Sequence, residues 1–290
     1  MNQDSIIKAL LIVIIILLIG NLALLAVWGV VSITTDKPTL PEGHPAQTEK
    51  DTTKAETNDL PVSGTPDSSA LLGESADMGQ EYIDSIIFLG DSTTSHMKSR
   101  EVLSGGKNTK QIWTGAAGWL NLDASVHKTT ILYPKTGTEM TVAEAAALEK
   151  PKYMVITLGA DYGVAYCDQT KFTTYYGKLI DAIKQASPDT KIILQSVFPV
   201  AAHYENKVIE AGKETTGLTN RKIDIANTWI MQLAAQKGCK YLDTASVLKN
   251  SNGALIDSYE SAEHGYDGIH INTEAYRAIL QYIRTHGYTD

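Results

Sequence analysis

A serine and a histidine, each close to an aspartate, are the residues of this sequence best suited by type and spacing to catalysis. Gly90-Asp91-Ser92 follows the apolar run Ile86–Leu89, and Asp267 precedes His270 by three residues. A serine hydroxyl becomes a nucleophile when a histidine takes its proton, and an aspartate can orient that histidine. Taken alone, the first motif is better explained as a turn with a helix-capping serine, and the second as a solvated loop with an ordinary histidine. Together they indicate acyl transfer through a serine.

The elements that must position these residues follow an alternating pattern. Near-continuous apolar runs predict strands buried on both faces. The predicted strands are Ser85–Leu89, Gln111–Thr114, Lys152–Leu158, Lys191–Val197 and Cys239–Leu242. Apolar stripes at helical spacing lie between Phe172 and Ile183, between Ile223 and Ala234, and between Ala275 and Ile283, the last behind a cap at Asn272 or Thr273. This alternation predicts an α/β fold with a parallel sheet, whose ligands bind at the carboxyl ends of the strands.

The order of several blocks in the chain carries a family resemblance. Gly90-Asp91-Ser92 follows the first strand, Gly115-Ala116-Ala117-Gly118 follows the second, Leu158-Gly159-Ala160-Asp161 follows the third, and Asp267-Gly268-Ile269-His270 precedes the last helix. In this order the chain resembles the SGNH hydrolases, also called GDSL-type esterases and lipases. The resemblance covers nearly all of residues 84–287.

The resemblance implies both a fold and a mechanism. The fold is a three-layer α/β/α arrangement with a flavodoxin-like five-stranded parallel sheet. Ser92 is the implied nucleophile, and His270 is the implied base and acid, oriented by Asp267. The implied oxyanion hole consists of the backbone N–H of Ser92, the N–H of Gly118, for which Gly115 is the alternative, and a side chain at position 161. The implied reaction needs no metal and no cofactor.

Position 161 departs from the family pattern, which has asparagine where this chain has Asp161. An ionised carboxylate donates no hydrogen bond and repels an oxyanion. Three interpretations stay open: Asp161 is protonated and donates, another group supplies the donor in a slower enzyme, or the site has lost catalysis.

The N-terminal part of the chain predicts a membrane anchor. Ala9–Ile33 is a run without charged residues, and a helix of that length would extend over about 37 Å, enough to cross a bilayer. The run is longer than the apolar region of a cleaved signal peptide and has no clear cleavage site. Lys8 before it and the acidic segment after it predict a cytoplasmic N-terminus with the remainder outside. We therefore expect residues 1–34 to form a cytoplasmic end and a transmembrane helix.

The next segment, residues 35–80, is rich in Ser, Thr, Pro and Gly and has no aromatic residue. Such a composition cannot bury enough apolar surface to offset its ordering entropy, so it predicts a disordered acidic linker. Residues 81–290 then form one catalytic domain. The net charge of −8 argues against nonspecific nucleic-acid binding.

The expected function is that of a membrane-anchored extracytoplasmic serine esterase. Its predicted partner is an acyl ester, with short acyl groups on a cell-envelope glycan or lipid. An O-acyltransferase using the same residues and a non-catalytic envelope-binding module are the alternatives. His127, His203 and His264 have no ligand spacing that suggests zinc. We therefore predict no metal site. We expect His264 at the surface, with a position lining the site as the alternative, because it is close to the Asp267 loop in the sequence.

Overall fold

The structure, a computed structural model, describes residues 68–122, 130–160 and 162–289. The predicted transmembrane helix over residues 9–33, most of the predicted linker, His127 and Asp161 lie outside the described residues. In the part of the chain that is described, no helix is both long and apolar enough to cross a membrane.

Five parallel strands form the central sheet, as the sequence predicts. The strands of the described chain are β1 (Ile86–Gly90), β2 (Ile112–Trp113), β3 (Thr130–Tyr133), β4 (Thr138–Thr141), β5 (Tyr153–Thr157), β6 (Lys191–Gln195) and β7 (Lys240–Leu242). The sheet order is β2-β1-β5-β6-β7, and all neighbouring strands in it run parallel. Gly90 pairs with Thr157, so β1 and β5 end together at one sheet edge.

Helices cover both faces of this sheet. They are α1 (Gly79–Asp84), α2 (Ser92–Ser99), α3 (Val142–Glu149), α4 (Gly163–Tyr166), α5 (Gln169–Ala186), α6 (Ala202–Glu210), α7 (Asn220–Gln236) and α8 (Thr273–Thr285). Leu89 and Ile156 pack into one buried cluster with α5 and α7, whereas Phe88 and Val155 pack into a second cluster with α1, α2 and α8. Successive strand residues thus enter opposite cores, which gives the predicted three-layer α/β/α architecture.

The cap predicted for the last helix is present. The side chain of Asn272 accepts a hydrogen bond from the N–H of Ala275 at 3.1 Å. Ala275, Tyr276, Ile279 and Ile283 are buried, as the apolar stripe predicts. This helix therefore fixes the end of the loop that carries His270.

One feature of the fold was not predicted. The strands β3 and β4 form an antiparallel hairpin beside the main sheet. All four residues of β4 are at least partly exposed, so the sequence has no apolar run there that would indicate a strand.

The described domain begins before residue 81, which corrects the predicted end of the linker. Leu71 forms a parallel bridge with Tyr241 of β7, and the N–H of Leu72 donates to the carbonyl of Tyr241 at 2.9 Å. Ala70 and Leu72 are buried. Residues 68–80 therefore belong to the domain. The short apolar stretch around Leu71 pairs with β7 and so satisfies backbone groups at that edge of the sheet.

Candidate active site

Ser92 lies where β1 ends and α2 begins. Only glycine fits at position 90, because a Cβ there would lie 2.1 Å from Oγ1 of Thr94 and 2.4 Å from the carbonyl oxygen of Thr157. Asp91 caps α2 by accepting a hydrogen bond from the N–H of Thr93 at 3.0 Å. Ser92 is the first residue of that helix. Its own N–H thus belongs to a helix N-terminus, where backbone dipoles favour negative charge.

A tight loop before α8 holds His270. One carboxylate oxygen of Asp267, Oδ1, accepts the N–H groups of Ile269 and His270, both at 2.9 Å. The other, Oδ2, lies 2.6 Å from Nδ1 of His270. Gly268 between them has φ +82°, and a Cβ there would lie 2.4 Å from Cβ of Tyr204. The loop therefore fixes both the position and the rotation of the imidazole ring.

Two buried asparagines of α7 hold the segment that braces this loop. Asn220 accepts from the N–H of Val200 at 2.9 Å and donates to its carbonyl at 3.0 Å. Asn227 makes the same pair of bonds to Val197, at 2.7 and 3.0 Å. Ala201, which directly follows Val200, donates its N–H to the carbonyl of Gly268 at 2.8 Å. A continuous set of hydrogen bonds thus links the asparagine side chains of α7 to the His270 loop.

The fold brings the two predicted motifs together across 178 residues of chain. Oγ of Ser92 lies 3.3 Å from Nε2 of His270. Partial burial raises the pKa of Asp267, but the N–H groups of His270 and Ile269 and the His270 ring outweigh it and hold the pKa of this carboxyl below its ordinary value. Ionised Asp267 stabilises a proton on Nδ1, which leaves Nε2 as the acceptor for the Ser92 hydroxyl.

Two further histidines pack against His270. The ring of His264 is stacked on it at a centroid distance of 4.4 Å, and the ring of His96 lies 4.8 Å from it. His264 is thus partly buried beside His270, the alternative to the expected surface position. The spacing of Ser92 and His96 by four residues places both on one helix face, a signal that was present in the sequence. For His264 the signal in the sequence is its closeness to the Asp267 loop.

The guanidinium group of Arg100 is linked to His264 through the side chain of Ser261. The side chain of Arg100 is only 5% exposed and forms an ion pair with Glu263 at 3.0 Å. It also donates to Oγ of Ser261 at 2.6 Å, and this oxygen lies 3.0 Å from Nδ1 of His264. Arg100 and Ser261 thus fix the His264 ring against the catalytic candidates.

Burial lowers the pKa of His96 to about 4, with further contributions from the charges of His270 and His264. In the unfolded chain this imidazole takes a proton as the pH falls below about 6.5, whereas the folded chain takes it only near pH 4. The unfolded state therefore binds more protons in this window, and acidification lowers the free energy of unfolding.

We expect His96→Gln to remove part of this acid sensitivity. Between pH 6.5 and pH 4 the unfolding free energy of the variant should fall by about 1 kcal/mol less than that of wild type. This value allows for solvent screening of the half-buried ring. Urea unfolding at both pH values measures it, with His286→Gln as the matched control. An equal difference at both pH values would contradict the expectation.

The remaining two predicted site residues are less clearly placed for catalysis. The N–H of Gly118 donates to the carbonyl of Gly115 at 2.8 Å and so closes a turn. Gly118 has φ +83°, and a Cβ on it would lie 3.8 Å from Oγ of Ser95 in the first turn of α2. Gly118 is thus close to the first turn of α2, but its N–H already donates within its own turn. Asp161 is not among the described residues.

A small cavity of about 230 Å³ opens beside Ser92 and His270. Its other walls include Tyr166, Tyr204, Leu218 and Ile269. A second cavity of about 700 Å³ lies next to it, and Tyr166 lines both. The first is smaller than the 300–1,000 Å³ typical of clefts for drug-sized ligands.

Known structures provide a comparison for the fold. The periplasmic domain of a lipopolysaccharide acetyltransferase from Salmonella ser. Paratyphi A is 19% identical, with 68% of this chain and 81% of that chain covered and a TM-score of 0.44. A lipase/acylhydrolase from Enterococcus faecalis is 15% identical, with 69% and 95% covered and a TM-score of 0.43. A carbohydrate esterase of family 3 from Talaromyces cellulolyticus is 13% identical, with 69% and 93% covered and a TM-score of 0.42.

Comparison with curated proteins gives no match. A family model, in contrast, matches residues 88–278, a stretch that starts within β1 and ends within α8. It contains Ser92, Asp267 and His270, and it covers most of the chain. The chain therefore belongs to the GDSL-like lipase/acylhydrolase family and is a hydrolase of that family.

Proposed function

We propose that this protein is a serine esterase in which Ser92, His270 and Asp267 act as the catalytic triad. The observation that carries the proposal is the continuous contact from Oγ of Ser92 to Nε2 of His270 at 3.3 Å and from Nδ1 of His270 to Oδ2 of Asp267 at 2.6 Å. Membership of the acylhydrolase family supports the same chemistry.

The proposed reaction has two halves. Ser92 Oγ attacks the ester carbonyl while Nε2 of His270 takes the hydroxyl proton, and the tetrahedral intermediate collapses as His270 gives that proton to the departing alcohol. Water then attacks the acyl-serine, with His270 taking and returning a proton in the same way. Asp267 remains ionised and stabilises the imidazolium that forms in each half.

The developing oxyanion needs hydrogen-bond donors close to Ser92. The N–H of Ser92 at the start of α2 is the donor that the local structure favours most. The N–H of Gly118 would first have to leave its turn with Gly115. The contribution of Asp161 stays a prediction, with its three interpretations open.

The substrate we propose is an ester of a short acyl group. The cavity beside Ser92 is small, and the exposed residue Tyr166 lines both this cavity and the larger one. We expect this ring to obstruct a long acyl chain that extends toward the larger cavity, whereas an acetyl group does not reach it.

A series of p-nitrophenyl esters tests this proposal. The purified full chain should hydrolyse the acetate with a higher kcat/KM than the decanoate. Tyr166→Ala should raise the decanoate-to-acetate ratio by about tenfold or more, because access for a few methylenes is worth that much discrimination. Tyr266→Ala is the matched control, since Tyr266 is 58% exposed, close to the 56% of Tyr166, and lies outside this cavity.

Either of two results would count against the short-acyl assignment: a wild type that prefers the decanoate, or an unchanged ratio in Tyr166→Ala. Absence of hydrolysis across the whole series would count against the esterase itself.

We also propose that the domain works outside the cytoplasmic membrane on an acylated envelope glycan or lipid. Support comes from the sequence, in which the apolar run Ala9–Ile33 precedes a polar, acidic segment. Extraction of the full chain from the membrane fraction only by detergent is the expected result. Recovery of the intact chain in the soluble fraction would overturn the location.

A further inference from the structure

Three imidazoles converge at the proposed triad. One nitrogen from each of His96, His264 and His270 lies within 4.8 Å of the others. All three residues are intermediate in burial, so the cluster is neither sealed in the core nor fully in solvent. The ester hydrolysis proposed above uses only one of them.

The outer nitrogens of two rings are already committed. Nδ1 of His270 contacts the carboxylate of Asp267 at 2.6 Å, and Nδ1 of His264 contacts Oγ of Ser261 at 3.0 Å. These contacts orient each ring and point to its Nε2 as the ligand atom, although Nε2 of His270 also lies 3.3 Å from Oγ of Ser92. Nδ1 of His96 is buried and has no hydrogen-bond partner among the described residues. The cluster thus has uncommitted nitrogen lone pairs and, behind two of its rings, the oxygen partners that usually orient metal-binding histidines.

The size of the cluster is close to that of a metal site. A tetrahedral zinc ion with nitrogen ligands at about 2.0–2.1 Å separates those nitrogens by about 3.4 Å. The ring nitrogens therefore need to approach by up to about 1.4 Å, which a shift of the His96 ring and of the turn that carries His264 would supply. His264 lies at the end of a 3₁₀ turn, Ala262–His264, directly before Gly265, which has φ +65°.

We propose that His96, His264 and His270 bind a divalent transition-metal ion of the zinc type, and that this ion inhibits the esterase. The inhibitory part rests on the proposed triad. An ion on Nε2 of His270 occupies the lone pair that would otherwise accept the Ser92 proton. Imidazole nitrogen is a preferred ligand of zinc, and the carboxylate of Asp267 behind His270 increases its basicity. The site departs from the sequence-based expectation of no metal.

The first experiment measures binding without activity. The full chain, purified without a histidine tag, is titrated with Co²⁺ and then with Zn²⁺, and visible absorption and calorimetry report the stoichiometry and affinity. One ion per chain is expected. Bound Co²⁺ should show the d–d absorption bands of nitrogen ligation, and these bands should disappear when Zn²⁺ displaces the Co²⁺. His264→Gln and His96→Gln should each weaken binding at least about tenfold, whereas the control His286→Gln should not.

Folding of each variant is checked by thermal unfolding, and the more exposed His264 keeps the test informative if His96→Gln does not fold. An absence of saturable Co²⁺ binding in wild type would overturn the site. Equal binding by wild type and His264→Gln would overturn it as well, and would leave the rings as an aromatic shell around His270.

The second experiment measures hydrolysis of p-nitrophenyl acetate against Zn²⁺ concentration. Wild type should be inhibited reversibly, with recovery on addition of EDTA, and the half-inhibitory concentration should rise at least about tenfold in His264→Gln. Binding without inhibition would overturn the assignment of His270 as a ligand. If wild type shows no hydrolysis at all, the proposed esterase fails while the Co²⁺ titration still decides the metal site.

Discussion

Replacing Ser92 by alanine is expected to lower kcat for p-nitrophenyl acetate by at least about 10³-fold, because the variant has no nucleophile to form the acyl-enzyme. Ser99→Ala is the matched control. Ser99 lies on the same helix, is exposed, and donates to the carbonyl of His96 at 3.1 Å. It should keep activity within a few-fold of wild type.

The Ser92 hydroxyl is only half-buried, and the hydrogen bond that its removal would break is the one to His270. Loss of activity through unfolding is therefore not expected, and equal thermal midpoints for Ser92→Ala and wild type would establish this. If the folded alanine variant kept more than a tenth of the wild-type rate, Ser92 would not be the nucleophile.

Asp267→Asn is expected to lower kcat by about 10²–10⁴-fold while leaving the fold intact. The ionised carboxylate holds the proton on Nδ1 of His270 through a 2.6 Å contact. An asparagine amide can present its N–H₂ group to that ring instead, which favours the tautomer with the proton on Nε2 and removes the acceptor for Ser92.

The control for this variant is Asp257→Asn, a neutralisation of an exposed aspartate in a nearby 3₁₀ turn, Asp257–Tyr259. It should change kcat by less than threefold, which separates the loss of the oriented carboxylate from the loss of one negative charge. Wild-type turnover in a folded Asp267→Asn variant would remove Asp267 from the mechanism.

The sheet was predictable because its strands carry an unmistakable pattern. The cores of β1, β5 and β6 are apolar runs without alternation, which only strands buried on both faces require. The hairpin of β3 and β4 was missed because its partly exposed residues have no such run. Residues 68–80 were misassigned because their average composition is polar, while two buried side chains, Ala70 and Leu72, decide their position.

The site was predictable only as far as local motifs reach. Ser92 and the pair Asp267 and His270 stand out because each motif combines chemistry and backbone geometry within a few residues. Arg100 and His264 do not, because their roles depend on contacts that form only when α2 meets the loop before α8. The turn that uses the N–H of Gly118 is likewise a property of the folded backbone.

Labelling with a fluorophosphonate probe tests the central claim most directly, because the probe phosphonylates only a serine activated by a neighbouring base. The full chain should react at one site, peptide mapping should place the adduct on Ser92, and His270→Ala should abolish it. An unlabelled wild-type chain, or an adduct on any other serine, while a known serine hydrolase reacts under the same conditions, would contradict the proposed mechanism.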